Sequence, residues 1–221
     1  MAAAVWEAVA DATGLGEGTS LLDLGCGDGG FCAFAARRGA VAHGLDVDPD
    51  AIARALDRVP GGQFQIGLME NLPWADASFD VVTAFNAAQY ALDTELALIE
   101  AGRVLRPGGR LAVCKWGPPA ANEFFAFLLS IGAGGVRDDA LPMTDPVEDA
   151  ILATRLDVVA TGGVPAPIEI ADDDALQASL VSAGVVAAPG SVIAAAARWR
   201  QSDGTYRFEN QQRYWILGSA R

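Results

Sequence analysis

The stretch Leu21-Leu22-Asp23-Leu24-Gly25-Cys26-Gly27-Asp28-Gly29-Gly30-Phe31 constrains this chain more than any other. An apolar run gives way to glycines at alternate positions and then to a helical pattern, which spells strand, tight loop and helix. Glycine at Gly25, Gly27 and Gly29 lets the backbone turn through angles that a side chain forbids. It also lets a ligand lie directly on main-chain N–H groups. A nucleotide-like cofactor is therefore expected at this loop. Asp23 stands two residues before the first glycine, and a second acid, Asp46, closes the next apolar run.

Along the chain, strand and helix signals alternate, which predicts a parallel sheet with helices on both faces. Helices are expected over 2–12, 31–38, 49–58 and 94–104, and strands over 20–24, 41–46, 63–67, 80–85 and 110–116. Asp48 before Pro49 is an N-cap followed by proline in the first turn. Pro107-Gly108-Gly109 turns the chain into the fifth strand. Beyond Gly117 the alternation fails: helical pieces are expected over 122–130, 147–156, 174–183 and 191–200, with a strand near 167–170. A turn at Ser202-Asp203-Gly204 precedes a last strand over 211–218.

In order and spacing, five landmarks resemble the class I methyltransferases that use S-adenosylmethionine, especially the small-molecule type related to the quinone-biosynthesis C-methyltransferases. They are Asp23-Leu-Gly-Cys-Gly-Asp-Gly29, Gly44-Leu-Asp46, Glu70-Asn-Leu-Pro73, Ser78-Phe-Asp-Val-Val82 and Arg103-Val-Leu-Arg-Pro-Gly-Gly109. The resemblance covers about Gly18 to Trp116. It implies a Rossmann-like, doubly wound α/β fold whose seven-stranded sheet ends in an antiparallel strand. The chain is then expected to be one domain over 1–221, with a cofactor-binding core at 18–116. A helical cap insertion with the sixth strand follows at 117–200, and the last strand at 201–221.

The same resemblance implies a site. Gly25, Cys26, Gly27 and Gly29 would face the cofactor with their backbone, and Asp46 would accept from both ribose hydroxyls. Val47 and Met69 would cover the two adenine faces, although spacing alone makes them core residues. Where the family carries an acid for the adenine amino group, this chain has Leu68, so Glu70 or a main-chain carbonyl is expected to substitute. Asn86 and Gln89 would fix the amino acid portion. Tyr90, Trp116, Tyr206 and Asn210 are candidates for the substrate, as is Lys115. A small, largely apolar methyl acceptor enclosed by the helices between Ala121 and Arg200 is expected, with Arg137, Arg155 and Asn122 as polar groups. The cofactor lid is shortened, absent or supplied by residues 122–142.

No catalytic base is visible. His43, the only histidine, lies mid-strand and reads as structural. Methyl transfer from a sulfonium needs little beyond alignment. Cys26, Cys32 and Cys114 form neither an even disulfide set nor a zinc spacing, which suits a reducing compartment, and no metal is expected. Cys26 reads as a small residue tolerated in a tight loop. A net charge of −13 opposes phosphate backbones and disfavours nucleic acid as partner. With 52% hydrophobic residues but no long uncharged apolar run or basic leader, the chain is expected to be cytoplasmic and free of the membrane. One lysine against fourteen arginines suggests a GC-rich bacterial genome. Two alternatives stand. Gly30 completes the G-x-G-x-x-G pattern of an NAD(P)-dependent dehydrogenase, against which the downstream landmarks argue. Leu68 and the few residues before the first helix suit a noncatalytic S-adenosylmethionine-binding protein.

Overall fold

The computed structural model describes residues 3–132, 146–154, 156–182, 185 and 188–218. Two compact units divide the chain. One comprises Val5–Lys115, Thr144–Gly162 and Arg213–Arg221, and the other Met1–Ala4, Trp116–Met143 and Gly163–Gln212.

The sheet-bearing unit is built from local signals that agree with one another. After helix α1 (Ala3–Thr13), the apolar run becomes β1 (Ser20–Leu24), followed by α2 (Gly30–Arg37), β2 (Val41–Asp46) and α3 (Pro49–Arg58). Gly29 precedes α2 at φ 76°, and Gly39 stops the chain after it at φ 86°, both in the left-handed region that favours glycine. Asp48 caps α3, its carboxylate accepting the Asp50 N–H at 2.9 Å. The chain continues through β3 (Gln63–Ile66), β4 (Phe79–Phe85), α4 (Thr94–Val104) and β5 (Leu105–Trp116). Asp93 caps α4 by accepting from the Leu96 N–H at 3.0 Å, and α4 buries Ala97, Leu98, Ala101 and Val104 at spacings of one, three and three. β5 begins earlier than the expected Arg110. Leu105 already pairs with Phe79, after which the register slips so that Arg110 faces Val81, and Pro107-Gly108-Gly109 bulges between the two pairings.

With α6 (Pro146–Ala153), β6 (Asp157–Pro165) and β9 (Gln211–Gly218), the sheet has seven strands in the order β3-β2-β1-β4-β5-β9-β6. The first five are parallel and the last run antiparallel. The order reverses at β1, between β2 and β4, where open sheets of this kind leave a crevice at the carboxyl ends of the strands. One core cluster joins Leu22, Leu24, Val82, Leu111 and Val113 of the strands to Leu98 and Ala101 of α4 and Val147 and Ile151 of α6. Another joins Leu21 and Val81 to Phe31, Phe34 and Ala35 of α2.

Two expectations for the region after Gly117 are corrected. The expected strand at 167–170 is not the sixth strand of the main sheet. That place belongs to β6, whose Gly162 and Gly163 lie under side chains of β9: a Cβ would meet the Tyr214 hydroxyl at 2.5 Å and Gln211 Nε2 at 2.7 Å. The helix expected over 147–156 is α6, and it packs in the core of the sheet unit rather than in a cap. The second unit consists of α5 (Glu123–Ser130), the antiparallel pair β7 (Ile168–Ile170) and β8 (Tyr206–Phe208), and between those two strands α7 (Asp173–Ser182) and α8 (Pro189–Ala196). Its core gathers Phe127, Leu176, Leu180, Val192, Trp199, Tyr206 and Phe208, with Trp199 and Phe208 rings 5.0 Å apart. Arg137, Arg155, residues 133–142 of the expected lid and Ala183 of the expected third helix lie outside the described residues.

Candidate functional site

The glycine loop is shaped by three left-handed residues, Gly25 at φ 65°, Gly27 at 53° and Gly29 at 76°. Their uses differ. A Cβ on Gly25 would sit 2.5 Å from the Ala87 Cβ, so the loop and the chain after β4 close on each other only with glycine there. A Cβ on Gly29 would come within 3.0 Å of the Ala55 Cβ, which lets α2 and α3 approach. A Cβ on Gly27 would meet nothing within 4 Å, so this side of the loop is open. The main-chain donors are largely engaged within the protein, contrary to their expected role. Gly25 and Cys26 N–H both donate to the Leu45 carbonyl, at 2.8 and 3.0 Å, and Gly29 N–H donates to the Cys26 carbonyl at 3.0 Å. Gly27 N–H donates to Asp46 Oδ2 at 2.8 Å.

Asp46, at the carboxyl end of β2, thus organises the loop before it meets any ligand. Its Oδ1 accepts from the Asp48 N–H at 3.0 Å. Each carboxylate oxygen has one protein donor and retains acceptor capacity. Beneath the loop, Asp23 is 3% exposed and accepts from Thr83 Oγ1 at 2.6 Å, a bond set by the β1–β4 register that places the two residues side by side. Burial pushes the Asp23 carboxyl up to about 7, opposed by the Thr83 bond and assisted by the Asp46 charge. The Cys26 thiol is buried, and desolvation followed by the nearby Asp23 and Asp46 charges pushes it far above its ordinary value. Burial and those charges disfavour the thiolate form. His43 Nδ1 lies 3.1 Å from the Leu21 carbonyl and its ring packs edge-on to Phe79, a structural placement.

A cleft of about 530 Å³ opens at the strand-order reversal. Among the expected site residues it brings together Gly25, Asp46, Val47, Met69, Glu70, Asn86 and Tyr90; Cys26, Gly27, Gly29 and Gln89 do not line it. Sequence reasoning missed Ala87, Ala91 and Leu92 as lining residues, because small and aliphatic side chains carry no chemical signal. Leu68 also lines the wall, and it is 47% exposed, Tyr90 80% and Leu92 84%, so large apolar side chains ring the mouth. Asn86 holds a left-handed backbone at φ 50° and donates its N–H to the Cys114 carbonyl at 2.7 Å. Asn86 Oδ1 and Gln89 Oε1 are buried acceptors with no partner among the described residues. A buried acceptor left unpaired is costly unless a ligand supplies the donor.

Glu70 differs from its expected role. Its Oε1 accepts the N–H groups of Leu92 and Asp93, at 2.6 and 3.2 Å. The expected substrate contacts in the second unit are likewise internal. Tyr206 is fully buried, and its hydroxyl donates to Asp173 Oδ1 at 2.6 Å. Asn210, 5% exposed, accepts from the Phe124 N–H at 3.1 Å and donates to the Phe208 carbonyl at 3.1 Å. Asn122 Nδ2 donates to the Gly117 and Pro118 carbonyls and its Oδ1 accepts from Gln211 N–H. These groups close strand and helix ends: Asn210 and Asn122 satisfy backbone groups, and Tyr206 satisfies the Asp173 carboxylate. Trp116 is half-buried at the end of β5. Lys115, in the sheet unit, is lowered from its ordinary value by desolvation, with Glu148 and Arg213 nearby. No group of three or more His, Cys, Asp or Glu among the described residues is placed to hold a metal.

Residues 22–113, which contain this cleft, match the family described as "Methyltransferase domain". This segment is similar to methyltransferase domains. It is 38% identical over 101 residues to an uncharacterized methyltransferase of Synechocystis, covering 45% of this chain and 48% of that protein. It is 34% identical over 108 residues to a demethylmenaquinone methyltransferase of Tropheryma whipplei, covering 48% of this chain and 45% of that protein. The chain therefore spans about half the length of the curated relatives it matches. The fold extends further: the YcgJ protein of Bacillus subtilis superposes with a TM-score of 0.66 at 20% identity over 98% of each chain. The matched segment ends three residues before Trp116, so the second unit lies outside it.

Proposed function

We propose that the methyltransferase domain holds S-adenosylmethionine in the cleft beside Gly25 and Asp46 and that the chain transfers its methyl group to a small, largely apolar metabolite. The observation that carries this reading is the unpartnered, buried Asn86 Oδ1 in the same cleft as the Asp46 carboxylate. Asn86 would accept from the ammonium of the amino acid portion, and Asp46 from the ribose hydroxyls with its remaining lone pairs. Val47 and Met69 offer apolar surface on the cleft for the adenine. When bound, the cofactor supplies a methyl group on sulfonium sulfur, and direct displacement passes it to an electron pair of the acceptor while the sulfur keeps the bonding pair as a thioether. The chain's contribution is to align the two reactants and exclude water, since positioning alone lowers a bimolecular barrier by several kcal/mol.

Tyr90, Leu92 and Leu68 around the mouth favour an apolar acceptor. The relative named as a demethylmenaquinone methyltransferase points to the same class, and the charge of −13 argues against nucleic acid. No helix among the described residues is long and apolar enough to cross a membrane. The three cysteines are free and buried, which suits the cytoplasm.

Titration calorimetry with S-adenosylhomocysteine and with NADH tests the cofactor: binding of the first and not the second is expected, and the reverse selects a dehydrogenase. Asp46→Ala is expected to weaken S-adenosylhomocysteine by roughly 1 to 3 kcal/mol through lost charge-assisted hydrogen bonds. Unchanged affinity removes Asp46 from the site.

A further inference from the structure

Two segments wall the cleft, and one carboxylate oxygen joins them. The first wall is the turn after β3, which carries Leu68 and Met69. Its start is tied to β2 by Gly67 N–H on the Asp46 carbonyl at 3.0 Å. Its end is tied to the second half of α4, where Leu72 N–H donates to Glu100 Oε2 at 3.0 Å and Arg103, in the last turn, donates to the Leu72 carbonyl at 3.1 Å. The second wall is the segment Tyr90-Ala91-Leu92 leading into α4. The N–H groups of Leu92 at its end and of Asp93, the N-cap that follows, have no intrahelical acceptor, and both donate to Glu70 Oε1.

From this geometry we infer that Glu70 is a positioning residue: it staples the Met69 wall to the Tyr90 wall and fixes the width of the cleft, rather than contacting the cofactor. The inference rests on the proposed cofactor site for its consequence and on the hydrogen bonds alone for its cause. A carboxylate suits the task because one oxygen accepts both donors and its charge lies at the N-terminal end of α4, where the helix dipole favours an anion. Without the staple, the Leu92 and Asp93 N–H groups turn to water, the turn is held only at its ends, and Met69 and Tyr90 no longer keep a fixed separation. The neutral amide of glutamine keeps the accepting oxygen and so keeps the staple, whereas alanine removes it.

The test compares Glu70→Gln and Glu70→Ala by amide hydrogen exchange at Leu92 and Asp93 and by calorimetry with S-adenosylhomocysteine. Glu70→Ala is expected to speed exchange at both amides and to raise the dissociation constant about tenfold, while Glu70→Gln stays near wild type in both measurements. Equal weakening by the two variants with exchange unchanged would overturn the staple and make Glu70 a direct ligand. Unchanged affinity in Glu70→Ala would also overturn it. If wild-type protein fails to bind S-adenosylhomocysteine, the cofactor reading falls, and exchange at Leu92 and Asp93 alone decides whether Glu70 joins the walls.

Discussion

The buried carboxyl of Asp23 shows how a motif position acquires a physical property that spacing does not reveal. Its ordinary value is 3.8, and burial raises it to about 7 in the folded chain. A raised folded value means that the native state holds the proton more tightly than the unfolded chain does. This contribution therefore favours folding fully below 3.8, is lost progressively as pH rises to about 7, and is level above that. Asp23→Asn, which keeps an oxygen for Thr83 Oγ1, is expected to gain stability relative to wild type at up to about 1.4 kcal/mol per pH unit across that window. Chemical denaturation at several pH values measures it; a constant difference between the two proteins would show that Asp23 does not titrate there. The sequence made Asp46, Val47, Met69, Asn86 and Tyr90 legible as neighbours because strand ends at a known order reversal converge. The internal partners of Glu70, Tyr206 and Asn210 are not legible in the sequence: a polar side chain can be committed to a backbone group or to another side chain, and residue type does not say which.

At the scale of elements, legibility followed the strength of local punctuation. β1, β2, α3, α4 and β9 occupy the expected bounds because caps, proline at the first turn and apolar runs all agree there. β6 escaped notice because it is a largely exposed edge strand whose two central glycines break the pattern of a strand. Only Tyr214 and Gln211 on β9, which lie over those glycines, explain them, and neither is visible from the strand's own residues. The Asp48 cap offers a test of the clear case. Asp48→Ala removes the acceptor for Asp50 N–H and is expected to cost about 1 kcal/mol of stability, with Asp48→Ser recovering most of it. Equal thermal midpoints for alanine and wild type would mean that Pro49 and packing of Ala51, Ile52 and Ala55 hold the start of α3 without the cap.

Considered as a whole molecule, the chain divides into two units, each with its own buried apolar residues, and the matched segment lies only in the one that contains the cleft. The second core is aromatic, with Phe127, Trp199 and Phe208 in mutual ring contact, and the Tyr206 hydroxyl and the Asn210 amide beside it are hydrogen-bonded. Tyr206 and Asn210 therefore serve stability in this unit. Tyr206→Phe leaves Asp173 with Arg200 alone, whose Nη2 lies 3.3 Å away. Asn210→Ala strands the Phe124 N–H and the Phe208 carbonyl, a loss of about 1 to 3 kcal/mol when such groups stay buried. The expected outcome is a lower thermal midpoint for both variants, larger for Asn210→Ala, with S-adenosylhomocysteine affinity within twofold of wild type. Midpoints equal to wild type, together with weakened binding of an identified acceptor, would instead return Tyr206 and Asn210 to the substrate. That result would mean the hydrogen bonds to Asp173, Phe124 and Phe208 yield to the acceptor when it binds.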